Sequence, residues 1–260
     1  MLDVCRHIFS VEEVKKYIDI LAMHKMNRFH WHLTEDQGWR IEIKKYPNLT
    51  KVGSMRKETL VGLQTKKNNN YDGKPYGGFF TQEQVRDIVR YAAERYIEVI
   101  PEIDMPGHMR AAKKAMGKLL TDSAFDARVY KSAQNYTDNV IDVSKPYAVE
   151  FIDHVVTEIV KMHEEAGHPL TIFNIGGDEV PKGALTKEEH QAFIDAVLEI
   201  LKRYNLQPMG WEEIDHFCQP ESGAICYAWL NSESKPMQLA EAGYQVVIAT
   251  ASHLYFDFAY

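Results

Sequence analysis

The chain has 260 residues, 45% of them hydrophobic, and a formal net charge of −7 at pH 7. That length can bury a sizeable core as one large domain or two small ones, while the acidic balance argues against nucleic acid or an anionic membrane as main partner. No apolar run reaches the ~18 residues of a membrane span, and the three cysteines, Cys5, Cys218 and Cys226, lack metal-site spacing and read as buried free thiols, a Cys218–Cys226 bridge being the alternative in an oxidising compartment.

In chain order, "MLDVCRHIF" reads as a strand already under way. It has no basic segment followed by an apolar one, so no secretory signal is visible and localisation stays open. An amphipathic helix follows, with Val11, Val14, Ile18 and Leu21 on one face and Ser10 with Glu13 as its capping box. "RFHWHL" is the second strand. The segment from Pro47 to Phe80, containing "KKNNNYDGKPYGG", reads as a functional or mobile loop rather than a domain boundary. Thr81 and Gln84 then cap a helix through Val85, Ile88, Val89 and Ala92, which leads into the strand "IEVIPEID". A helix through Val149, Ile152, Val156 and Ile159 precedes "LTIFNIGG". Thr186 and Glu189 cap one through Phe193, Val197, Ile200 and Leu201 before "LQPMGW", "AICYAWL" and "YQVVIATAS".

Strands alternating with helices demand crossover connections, hence a parallel sheet with helices outside. Seven strands point to a (β/α)8 barrel with one strand unaccounted for; a doubly wound open sheet is the alternative. The barrel is favoured by where the unusual residues lie, since barrel chemistry gathers at the C-terminal strand ends. Arg6 and His7, His32 to Asp36, Asp104 and His108, Asp178 and Glu179, Trp211 and Glu212, Trp229 and Tyr255 all crowd that end.

Among these, Asp178 and Glu179 are two acids side by side after a buried run. Glycosidic hydrolysis needs an acid for the leaving oxygen and support for the developing oxocarbenium ion. Side chains alternate along a strand, but Gly176 and Gly177 permit a turn that lets both address one substrate. An acidic helix N-terminus is the plainer reading of the same letters. Trp31, Trp39, Trp211, Trp229 and Tyr255, at or beyond strand ends, offer flat rings for the C–H face of a sugar, although a single such Trp is more often core. His30 and His32, at i and i+2, could project together and bind a metal, but "LQPMGW", "AICYAWL" and "QVVIATAS" contain no histidine to complete a site. Asp104 and His108 could form a carboxylate–imidazole pair, or His108 could be a satisfied turn histidine.

Together, "MLDVCRHIF", "NRFHWHLTEDQGWRIEI", "VIPEIDMPGH", "NIGGDE", "MGWEE" and "LYFD" resemble, in order, the catalytic domain of glycoside hydrolase family 20, the β-N-acetylhexosaminidases. The resemblance covers nearly the whole chain; "EDQGW" departs mildly from the family's "DDQGW" at Glu35. It implies a (β/α)8 barrel and removal of terminal β-linked N-acetylglucosamine or N-acetylgalactosamine with retention, the substrate's own 2-acetamido oxygen attacking to give an oxazolinium ion. It implies Glu179 as general acid and then base, Asp178 as the group that orients the acetamido and supports its positive nitrogen, and Tyr255 as donor to the acetamido carbonyl. Asp257 would contact sugar hydroxyls, Trp211 and Trp229 would wall the acetamido pocket, and His108, supported by Asp104 or Asp36, would sit near Glu179. No metal or organic cofactor is implied. The expected partners are N-acetylhexosamine-terminated glycans or chitooligosaccharides.

Relative to the family, residues 1–260 are expected to form a single catalytic barrel domain truncated at both ends. The sugar-gripping arginine that usually precedes "MLD", the eighth strand with its tryptophan and acid, and the smaller preceding domain are not in these 260 residues. That departure raises a rival expectation, a catalytically silent carbohydrate-binding fragment or subunit whose barrel a second chain or a dimer completes.

Overall fold

The computed structural model describes residues 1–62, 68–230, 232 and 234–256. Seven strands form one sheet: β1 (Leu2–Asp3), β2 (Arg28–His32), β3 (Glu98–Glu102), β4 (Ile172–Asn174), β5 (Gln207–Trp211), β6 (Ile225–Ala228) and β7 (Gln245–Ile248). They lie side by side in chain order, and every pairing is parallel. The sheet is strongly curled. Strands β2 and β6 are four places apart, roughly 19 Å on a flat sheet, yet the His30 and Tyr227 rings they carry are 5.2 Å apart. The result is an incomplete (β/α)8 barrel, with β1 and β7 as its two edges among the described residues.

Helices α1 (Val11–Met23), α2 (Gln82–Ala93), α3 (Arg110–Met116), α4 (Pro146–Glu165), α5 (Lys187–Arg203) and α6 (Lys235–Glu241) occupy the crossovers. All three expected capping boxes form, at Ser10/Glu13, Thr81/Gln84 and Thr186/Glu189. Outside the sheet, α1 packs on α2, α2 on α4 and α4 on α5. Their apolar faces meet the outward residues Phe29, Trp31, Val99, Ile103, Phe173 and Ile175 in the main core. Each such fully buried side chain contributes about 1.5–3 kcal/mol. Between β5 and β6 the chain makes only short 3-10 turns, Glu212–His216 and Pro220–Ser222.

Alternation sends the other set of strand residues inward. Ile100, Ile172, Met209, Trp211, Ile225 and Tyr227 fill the barrel. Towards the strands' C-terminal ends this lining becomes polar, with His30, His32, Glu102, Asp104 and Asn174 all buried.

The stretch expected as a loop from Pro47 to Phe80 is partly regular. It contains a short helix, Asn48–Lys51, and an antiparallel pair, Met55–Arg56 with Tyr76–Gly77. Arg40, 0% exposed, anchors it: the guanidinium donates to the carbonyls of Val4 (3.1 Å), Cys5 (2.6 Å), Ser54 (2.5 Å) and Gly78 (2.9 Å). One side chain therefore ties the end of β1 to both arms of the excursion. The three cysteines are free and buried.

Candidate active site

The end of β4 sets the geometry. Gly176 (φ 66°) and Gly177 (φ 89°) both lie in the left-handed region, as does Glu179 (φ 51°). A Cβ at Gly176 would fall 2.0 Å from Asp104 Oδ1, and one at Gly177 2.4 Å from Ile214 Cγ2, so only glycine fits. The turn cancels strand alternation. Asp178 and Glu179 consequently face one imidazole: His108 Nε2 is 3.5 Å from Asp178 Oδ2 and 3.5 Å from Glu179 Oε2. Left-handed Glu179 costs of order 1–3 kcal/mol, which the surrounding contacts must offset.

His108 is held from behind by a residue that sequence reasoning noted only as a departure. Its Nδ1 donates to Glu35 Oε1 at 2.7 Å, while Glu35 Oε2 meets Arg6 Nη2 at 3.1 Å. The expected supports, Asp104 and Asp36, also flank His108 and help raise its pKa, with Glu35 making the shortest contact. Asp36 is more distant, 3.6 Å from Nδ1, and accepts from the Arg110 amide and Asn139 Nδ2, each at 3.1 Å. Asp104 accepts from the Gly177 amide at 3.1 Å and so braces the turn itself. Glu35 wins because the hairpin Thr34–Glu35/Gly38–Trp39 bends the chain back at the end of β2, under His108.

The titration states diverge accordingly. Burial pushes Asp178 up to about 7, with His108 opposing and Glu102 and Glu213 adding to the rise. Glu179 moves the other way: interaction with His108 holds it below the usual carboxylate range against burial, and Gln134 Nε2, 3.1 Å from Oε2, helps. Burial works against a charged His108, but Glu35, Asp104 and Asp178 raise its pKa well above the ordinary value. Burial, followed by the charge of Asp178, lifts Asp104 well above its usual range. Two adjacent carboxyls around one imidazolium can share a single proton, which rests on Asp178 in the free site and can pass to Glu179.

The aromatic residues divide by alternation. Trp211 is inward and 6% exposed, with Trp229 edge-on to it at 6.2 Å and Tyr255 stacked on Trp229 at 6.3 Å. Trp229 Nε1 donates to Glu213 Oε2 at 3.0 Å, and its amide to Glu212 Oε2 at 2.8 Å. Trp31 and Trp39, expected among the sugar-facing rings, are instead each 1% exposed in the outer core. Trp31 lies between two inward histidines, so its own side chain must point outward; Trp39 packs on Phe151 of α4 and donates to the Ile41 carbonyl at 2.7 Å. Asp257 lies outside the described residues.

His30 and His32 do project together, but onto a carboxylate: His30 Nε2 and His32 Nδ1 meet Glu102 Oε2 at 2.7 and 2.5 Å. Among the described residues, groupings with metal-ligand spacing are Asp3/Cys5/His32, Glu35/Asp36/His108 and Asp104/His108/Asp178, not the His30–His32 pair. Sequence reasoning also missed Glu102, Glu213 and Gln134. The alternation of "PEID" places Glu102 inward with Asp104, a usable signal; nothing local marks Gln134, which reaches Glu179 from the irregular segment before α4.

Comparison with known proteins agrees with this geometry. The profile of the glycosyl hydrolase family 20 catalytic domain matches residues 1–260. A β-hexosaminidase of Porphyromonas gingivalis is 45% identical over 82% of this chain and 27% of its own length; one of Vibrio furnissii is 39% identical over 100% of this chain and 44% of its own. The crystal structure of a family 20 exo-β-N-acetylglucosaminidase from Vibrio harveyi, in complex with N-acetylglucosamine, superposes with a TM-score of 0.81 at 38% identity, covering 95% of this chain and 40% of that one. The chain thus spans less than half the length of these relatives. With its barrel, its strand-end acids and a family match along its whole length, this chain belongs to the glycosyl hydrolase family 20 catalytic domain family.

Proposed function

We propose that this chain carries the catalytic centre of a retaining exo-β-N-acetylhexosaminidase acting on terminal N-acetylglucosamine or N-acetylgalactosamine of glycans or chitooligosaccharides. What carries the reading is the placement of Asp178 and Glu179 around His108, 3.5 Å from each. The names of the relatives, β-hexosaminidases and an exo-β-N-acetylglucosaminidase, supply the sugar.

In the first step the acetamido oxygen forms a bond to C1 while the glycosidic C1–O bond breaks, and Glu179 gives its proton to the departing oxygen. Anionic Asp178 holds the acetamido N–H and offsets the charge on the oxazolinium nitrogen. Tyr255 donates to the acetamido oxygen, Trp211 and Trp229 enclose its methyl group, and Asp257 binds a ring hydroxyl. In the second step Glu179 takes a proton from water, whose oxygen attacks C1 and reopens the oxazoline ring. Glu35, Asp36 and His108 are positioning residues for the pair, and Asp104 for the glycine turn.

The test is hydrolysis of an aryl β-N-acetylglucosaminide by the protein, with Glu179→Gln beside it. Turnover lost in the variant, and lost least with leaving groups that need little protonation, is expected. A folded protein that binds the sugar without turning it over would favour the rival reading, a silent binding subunit. Unchanged rate and unchanged inhibition by thiazoline mimics in Asp178→Asn would sink the substrate-assisted mechanism.

A further inference from the structure

Glu102, the last residue of β3, is 0% exposed and contacts no reacting atom in the chemistry above, acting on Asp178 only through its charge. Its two oxygens have separate duties. Oε2 is shared by His30 Nε2 and His32 Nδ1, at 2.7 and 2.5 Å, and Oε1 accepts from Trp211 Nε1 at 2.8 Å. These partners come from β2 and β5, on either side of β3, so the carboxylate spans the barrel interior below the Asp178–Glu179 pair. Among the described residues, the Trp211 ring otherwise sits in apolar packing, in a cluster with Ile100, Ile172, Met209 and Ile225 and beside the rings of Tyr227 at 4.9 Å, Trp229 at 6.2 Å and His30 at 6.0 Å. Such contacts tolerate sliding and tilting; a charge-assisted hydrogen bond to the indole's one polar atom does not.

We propose that Glu102 is a positioning residue that locks the Trp211 indole and thereby sets the size of the N-acyl group the site accepts. The proposal rests on the reading of Trp211 as a wall of the acetamido pocket. The plainer role for Glu102 is charge balance for His32, whose pKa is raised well above the usual imidazole value against the effect of burial. That role uses Oε2 alone and leaves the Trp211 bond without purpose.

Glu102→Gln separates the two. Two imidazole donors face one side of the group and one indole donor the other. The amide oxygen therefore turns to the histidines and its NH2 group meets Trp211 Nε1–H, donor against donor, so the ring is displaced while the fold's charge-bearing side keeps an acceptor.

The experiment compares kcat/KM for aryl β-glucosaminides bearing N-acetyl and N-propionyl groups in wild type and Glu102→Gln. One methylene against a rigid apolar wall is worth roughly 10–200-fold, so the wild type should prefer acetyl by that order and the variant by only a few-fold. A folded variant that keeps the wild-type ratio to within about twofold overturns the proposal, since a merely structural residue lowers both substrates alike. If wild type hydrolyses neither substrate, the reading of the site has failed, and the tie is then judged by hydrogen exchange of the Trp211 indole proton, assigned by its loss in Trp211→Phe. Slow exchange in wild type that becomes fast in Glu102→Gln supports the lock; equal exchange in both overturns it. Should Glu102→Gln not fold, the wild-type Trp211 proton is compared with that of half-buried Trp229. Slower exchange at Trp211 supports the lock, and exchange as fast as at Trp229 overturns it.

Discussion

At the scale of single residues, the site is a problem of one proton and two carboxyls. Burial puts Asp178 near 7, while the His108 contact keeps Glu179 below the ordinary range. Catalysis as proposed needs the reverse microstate, Glu179 protonated and Asp178 charged, which exists only while the pair holds one proton. Hence kcat/KM should fall as pH rises through about 7, where that proton is lost, and fall again in acid below the depressed Glu179 value. Asp178→Asn removes the higher titration, so the alkaline limb should move to lower pH along with a large loss of rate. A pH–rate profile of both proteins decides this, and a limb unmoved by the substitution would contradict the shared proton. Glu35→Gln follows the same logic. Without the Glu35 charge, His108 holds its proton less tightly. Loss of that positive partner releases Glu179 upward, which outweighs the smaller direct repulsion from Glu35, so the acid limb should rise in pH.

At the scale of elements, two devices hold the site. The first is the glycine turn after β4. Gly177→Ala puts a methyl 2.4 Å from Ile214 Cγ2 at a φ of 89°, so thiazoline binding should be lost together with turnover, beyond what the ~1 kcal/mol of a simple left-handed alanine would cause. The second is Arg40, whose guanidinium serves four backbone carbonyls. Arg40→Lys cannot span them, and each buried carbonyl left unmet costs ~1–3 kcal/mol. Urea denaturation should show a loss of about 3 kcal/mol or more, against nearly nothing for Arg90→Lys on the exposed face of α2.

At the scale of the whole molecule, two buried histidines of the helix layer make the fold acid-labile. Burial lowers both His163, in the last turn of α4, and His190, in the first turn of α5, to about 4. Their folded values lie below the unfolded ~6.5. The unfolded chain therefore binds more protons between these limits, and the stability they contribute, full above about 6.5, is lost as pH falls towards 4. Thermal midpoints across that window should drop less steeply in His163→Leu than in wild type; parallel curves would count against the assignment. Among the described residues the sheet also presents two parallel edges, β1 and β7, with Ile248, Leu254 and Phe256 exposed near the latter. Concentration-dependent association in light scattering is expected for this chain.

The strands, the four long crossover helices α1, α2, α4 and α5 and the three capping boxes were legible because each depends on period and on neighbours three or four residues away, whereas the two-turn helices α3 and α6 are too short to show a period. The Asp178–Glu179 pair was legible for a similar reason, glycines beside acids at the end of an apolar run. Tertiary structure decided the rest. Glu35 became the support of His108 only because a hairpin folds it under a residue 73 positions along the chain; Trp31 and Trp39 became core because inward and outward faces exist only once the sheet has curled. Glu102 reaches Trp211 across 109 residues, and the opposite titration of two adjacent acids depends on charges brought in from separate strands. Local sequence determined which elements form and which chemistry is present; the curl of the sheet decided which groups share a dielectric and so which of them can act together.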